Sequence, residues 1–213
     1  MKSDMHITLI RHGMTVGNLT HRYIGSTDEP LAPEGIEQLS LRGVNTHVHT
    51  VYVTPLQRTK QSASILFPNA RQIIIPDFRE MDFGDFEGRN YLEMETDSAY
   101  RAWVDSGCLK PCPNGERRAD FSKRVCDAFQ NVVAQARKNK ETTLTFVVHG
   151  GTIMALMERF ALPHRDYYDY SVKNGAGYHC DLVYDSQGEF YLLCKDHAEK
   201  HGFPMKQKGS YAP

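Results

Sequence analysis

The chain has 213 residues, 40% hydrophobic and 24% charged, which fits a soluble α/β core and excludes a disordered or fibrous chain. Its 25 basic and 26 acidic residues leave a formal charge of −1, so there is no broad positive field for DNA or RNA, and no nucleic-acid partner is expected. No apolar run reaches the ~18 residues a bilayer requires, and Met1 to His6 lack the layout of a signal peptide, so no membrane contact and a cytoplasmic location are expected.

The first predicted strand is the apolar run His6 to Ile10, which stops at Arg11-His12-Gly13. A helix is predicted after Pro33, from Glu34 to Val44, with Ile36, Leu39 and Val44 near helical spacing, followed by a strand at Val51 to Val53. A second helix, Leu56 to Phe67, ends before Pro68 and leads to a strand at Gln72 to Ile75. Gly88 to Gly115 lacks clear periodicity and reads as an insertion carrying short helices. Glu116 to Lys138 is the longest predicted helix, with Phe121, Val125, Ala128, Phe129, Val132 and Val133 on one face. The strand Leu144 to Val148 runs into His149-Gly150-Gly151 and a helix from Thr152 to Phe160. Tyr178 to Tyr184 and Phe190 to Cys194 flank the turn-forming Asp185-Ser186-Gln187-Gly188, as a hairpin would. The tail after Gly202 is expected to be mobile.

This alternation predicts a single domain over 1–213. Its expected form is a three-layer α/β/α sandwich with a mostly parallel central sheet and an antiparallel edge strand. Ligands of such folds bind beyond the carboxyl ends of the strands, where both Arg11-His12 and His149 fall. The glycines at 13, 150 and 151 let backbone approach a ligand, and a helix opening beside His149 presents amides and a positive dipole end. An oxyanion suits that setting. The odd set of Cys108, Cys112, Cys126, Cys180 and Cys194 is scattered, so reduced thiols are expected, with no metal site and no cofactor. His47 and His49, and His197 and His201, read as surface histidines.

Leu9-Ile10-Arg11-His12-Gly13-Met14-Thr15 followed by Asn18 resembles the signature of the histidine phosphatase (phosphoglycerate mutase-like) superfamily. The likeness continues through Gly25 to Leu31, Thr54 to Ala63, Arg79 to Gly88 and Val148 to Gly151, in the family's order. The resemblance implies a phosphatase acting through a phosphohistidine, with His12 as nucleophile and Glu80 as general acid. It implies that Arg11, Asn18, Arg58 and a protonated His149 bind the phosphoryl oxygens. Asp82, Asp85 and Glu87 compete with Glu80 for the acid role. Met14 stands where the family usually has Glu or Gln, which concerns the rim of the pocket rather than the nucleophile. The expected partner is a small phosphomonoester. The short, lightly basic segment after the acid motif favours hydrolysis over mutase-type transfer, and a non-catalytic phosphoester-binding module is the reading from another class.

Overall fold

In the computed structural model, which describes residues 5–197, β1 (Met5–Arg11) buries alternate side chains, Met5, Ile7 and Leu9, as a strand in mid-sheet must. It pairs in parallel with β4 (Thr143–Val148), and β4 pairs in turn with β2 (Thr50–Val53), itself parallel to β3 (Arg71–Ile74). On its other side β1 pairs antiparallel with β6 (Gly177–Tyr184), which forms the expected hairpin with β7 (Phe190–His197). A two-residue strand, β5 (Ala161–Leu162), adds to β7 in parallel. The order is β3-β2-β4-β1-β6-β7-β5, parallel from β3 to β1 and antiparallel on both sides of β6.

The period of two along β4 assigns helices to faces. Leu144, Phe146 and Val148 pack in one core with Phe121, Val125 and Phe129 of α5 (Arg118–Lys138) and Ile153 and Leu156 of α6 (Gly150–Phe160). Val147, with Val51 and Val53, packs in a second core with Leu39 of α2 (Pro33–Ser40) and Ala63 and Leu66 of α3 (Gln57–Leu66). A short helix, α1 (Val16–Leu19), follows β1, and the segment 88–115 carries α4 (Ser98–Asp105), capped by Asp97.

Some boundaries differ from the sequence reading. Helix α2 ends at Ser40, not Val44, because Gly43 at φ +80° closes it by donating to the Ser40 carbonyl; Val44 is exposed. Helix α6 begins at Gly150 rather than Thr152, with His149 as its N-cap. The expectation of reduced thiols is corrected for two cysteines. Cys180 and Cys194 are direct partners in the β6/β7 register and form a disulfide, while Cys108, Cys112 and Cys126 are free. Spacing alone could not reveal this, since the pairing follows from which hairpin residues face each other. His47 and His49 are exposed, whereas His201 and the tail after Gly202 lie outside the described residues.

Candidate active site

Adjacent parallel strands that end in register bring the two histidines together. Arg11 pairs with Val148, so His12 and His149 each leave the sheet one residue later, and the His12 amide still donates to the Val148 carbonyl at 2.9 Å. Their rings lie 5.2 Å apart, centroid to centroid, and both are buried.

His12 Nδ1 lies 2.7 Å from the Gly13 carbonyl oxygen. A carbonyl only accepts, so Nδ1 carries the proton and Nε2 keeps its lone pair. Burial first, then the Arg58 and Arg11 charges, hold the His12 pKa well below the usual imidazole value, so the ring stays neutral. The loop beneath it is fixed by three side chains. Ser62 of α3 accepts from Gly13 N at 2.9 Å, Asn174 Nδ2 donates to the His12 carbonyl at 3.1 Å, and Leu39 leaves no room for a side chain at residue 13.

Arg58 is fully buried at the start of α3. Its Nη1 donates to the Thr27 carbonyl at 2.7 Å, its Nη2 to Gly25 at 2.8 Å, and its Nε to His149 Nδ1 at 3.3 Å. An imidazole nitrogen that accepts from a guanidinium is unprotonated, so the His149 proton sits on Nε2, 3.0 Å from Thr54 Oγ1. This corrects the expectation of a protonated His149. Burial and then Arg58 push its pKa well below the usual value.

Arg11 donates through Nη1 to the Val172 carbonyl at 2.9 Å, while its buried Nε has no hydrogen-bond partner among the described residues. The guanidinium lies against the first turn of α6, where a Cβ on Gly150 would come within 3.4 Å of it. An unsatisfied charged donor beside a helix N-terminus is costly to bury unless an anion completes it.

Glu80 approaches from the other side. Its Oε2 accepts from Gly151 N at 2.8 Å and its Oε1 from Met81 N at 3.0 Å. A Cβ on Gly151 would stand 2.2 Å from Oε1, so glycine is what admits the carboxyl. Burial raises the Glu80 pKa, outweighing the two backbone hydrogen bonds and the Arg11 and Arg58 charges that pull it down.

The rivals are employed elsewhere. Glu87 accepts from the amides of Gly25 and Ser26 and from Thr27 Oγ1, which anchors the very loop whose carbonyls hold Arg58. Asp82 Oδ1 accepts from Gly84 N, and Asp85 holds the Asn114 amide. Asn18 stands at the edge of the group. Its Oδ1 accepts from Thr15 N at 3.2 Å and from Asn174 Nδ2 at 3.0 Å, closing the capping box of α1.

Thus Arg11, His12, Arg58, Glu80 and His149 converge, and Asn18 joins them through Asn174. Sequence reading missed Asn174 and assigned Tyr167 to packing, although its hydroxyl lies 3.4 Å from the Gly151 carbonyl. Both come from the segment between β5 and β6, which has no periodic signal and meets the site through the antiparallel return of β6. Two guanidinium groups and a helix N-terminus surround a neutral imidazole, with one buried carboxyl whose pKa is raised. That set can bind a phosphoryl group, attack it and protonate a leaving oxygen.

Comparison with known proteins agrees with this geometry. The profile of the Histidine phosphatase superfamily (branch 1) matches residues 7–195. The chain is 31% identical over 183 residues to an adenosylcobalamin/alpha-ribazole phosphatase of Escherichia coli K12, covering 80% of this chain and 87% of that protein. It is 26% identical over 193 residues to a broad-specificity phosphatase of Saccharomyces cerevisiae, covering 86% and 82%. The crystal structure of the alpha-ribazole phosphatase from Shigella flexneri shares the fold, with a TM-score of 0.74 at 23% identity over 95% of this chain and 100% of that one. The chain belongs to the histidine phosphatase superfamily.

Proposed function

We propose that this member of the superfamily hydrolyses small phosphomonoesters through a phosphohistidine formed on His12. The observation that carries the reading is the tautomer lock: Nδ1 is tied to the Gly13 carbonyl, so the lone pair of Nε2 is the ring's one nucleophilic position. In the first step Nε2 attacks phosphorus in line, the P–O ester bond breaks, and Glu80 gives its proton to the departing alkoxide. In the second step water attacks the phosphohistidine, Glu80 as carboxylate takes the water proton, the N–P bond breaks and inorganic phosphate leaves. Arg11, Arg58 and Asn18 supply donors to the non-bridging oxygens throughout, where fixed dipoles stabilise developing charge. His149 orients Arg58 through the hydrogen bond at Nδ1. The chemistry asks nothing of a cofactor.

The relatives' names favour a phosphorylated small molecule, alpha-ribazole phosphate among them, as the substrate class. Rapid acid-free quench of the enzyme with 32P-labelled ester should trap one acid-labile label per chain, lost in His12→Ala. Turnover of p-nitrophenyl phosphate should survive a chelator. A label that persists in His12→Ala moves the nucleophile elsewhere. Binding of phosphate without turnover supports the module reading instead.

A further inference from the structure

Arg118 is placed where neither the fold nor the proposed chemistry calls for it. It is the first residue of the 21-residue α5, directly after an N-cap arginine that makes no side-chain cap. A cation at that end opposes the helix dipole, and a capping Ser, Asp or Asn would serve α5 better. A residue that breaks a local rule in this way is a candidate for function. Among the described residues Arg118 forms no ion pair with a carboxylate. Its guanidinium instead lies 4.8 Å above the Tyr167 ring and 5.8 Å from the Tyr168 ring.

Tyr167 connects that cation to the site. The ring is buried, its hydroxyl meets the Gly151 carbonyl, and Gly151 N is the donor that holds Glu80. A side chain on Gly151 would touch both Glu80 Oε1 and the Tyr167 hydroxyl. The alcohol half of an ester must leave past Glu80, because that carboxyl supplies its proton. On this side of Glu80 stand the buried Tyr167 ring and, over it, the Arg118 guanidinium, which has no carboxylate within ion-pair distance among the described residues.

We infer that Arg118 is a specificity-determining residue that favours phosphomonoesters whose alcohol half carries a second negative charge, a carboxylate or another phosphate. The inference rests on the proposed phosphatase reading, with Glu80 on the leaving-group side. Stacking on Tyr167 holds the guanidinium without neutralising it, so an incoming anion gains a charge-assisted hydrogen bond at little desolvation cost.

The test uses two esters of near-equal shape, 4-carboxyphenyl phosphate and 4-carbamoylphenyl phosphate, the first anionic and the second neutral at the para group. Calorimetric binding to the His12→Ala enzyme, which lacks the nucleophile and does not consume the esters, should favour the carboxylate about tenfold, the scale of one charge-assisted contact. In that background Arg118→Ala should bring the two affinities together, and Arg118→Lys should keep most of the preference. In turnover the Arg118→Ala change should raise KM for the carboxylate ester about tenfold more than KM for the carbamoyl ester. A preference that is absent with Arg118 in place, or that survives Arg118→Ala, overturns the inference. Discrimination in binding without hydrolysis of either ester by the wild type would leave the role of Arg118 standing and sink the phosphatase reading instead.

Discussion

Burial does two opposite jobs on the two residues that move protons and phosphoryl groups. Desolvation disfavours a charged form, so it strips the proton from His12 and shifts Glu80 toward its acid form, favouring nucleophile and acid together. The pH dependence follows with a definite sign. His12 is neutral well below the ordinary imidazole pKa of about 6.5, so its protonation should not cut activity in mildly acidic solution. Glu80 must be protonated in the first step and burial raises its pKa from the ordinary value, so kcat/KM should fall as pH rises through it. A profile of phenyl phosphate hydrolysis should therefore show a descending alkaline limb and no matching limb near pH 6.5. Glu80→Gln should remove the descending limb and slow phenyl phosphate by about 100-fold or more, the usual range for a lost proton donor. The loss on p-nitrophenyl phosphate should be smaller, since its leaving oxygen needs less help. Equal losses on both esters would assign the acid elsewhere.

At the scale of elements, the site is held by segments that never touch the reacting atoms. Arg124 of α5 grips the carbonyls of Asp77, Arg79 and Glu80 and pairs in fork fashion with Glu116, whose own carboxylate accepts from Asp82 N. The acid segment is thereby fastened to the long helix. Glu87 fastens the same segment to residues 25–27, and through them to Arg58. Glu87→Ala should leave three amides, of Gly25, Ser26 and Phe83, and the Thr27 hydroxyl short of an acceptor and cost about 1–3 kcal/mol, read as a lower urea midpoint. Because the Arg58 carbonyl partners loosen with it, KM for phosphate esters should rise more than kcat falls. An unchanged KM beside a lowered midpoint would show that Arg58 is held without the loop. None of this was legible beforehand. The sequence marked Glu87 as a rival acid because carboxylates of equal chemistry cluster there, and only the fold tells which one faces Gly151 N and which faces Gly25 N.

For the molecule as a whole, the parallel half of the sheet was legible because its strands are short apolar runs separated by helices of clear period, and the motif residues fall at their ends. The return through β5, β6 and β7 was legible only as a hairpin. Its placement beside β1, which delivers Asn174 to the nucleophile loop, depends on long-range pairing that no local pattern encodes. The same pairing creates the disulfide, since Cys180 and Cys194 face each other only in this register. Three thiols, Cys108, Cys112 and Cys126, should therefore react with a thiol reagent in denaturant without reduction, and five after reduction. Closing a loop of this length can stabilise by up to about 3 kcal/mol through the unfolded chain, so Cys194→Ser should lower the Tm. The hairpin hydrogen bonds already restrain those residues, which places the expected loss in the lower part of that range. Cys180 is paired with Ile7, toward the end of β1 remote from His12, so kcat should be unchanged by reduction or by the substitution. Five thiols reacting before reduction would remove the bond, and a fall in kcat with the Tm intact would mean that β6 transmits strain along β1 to the nucleophile.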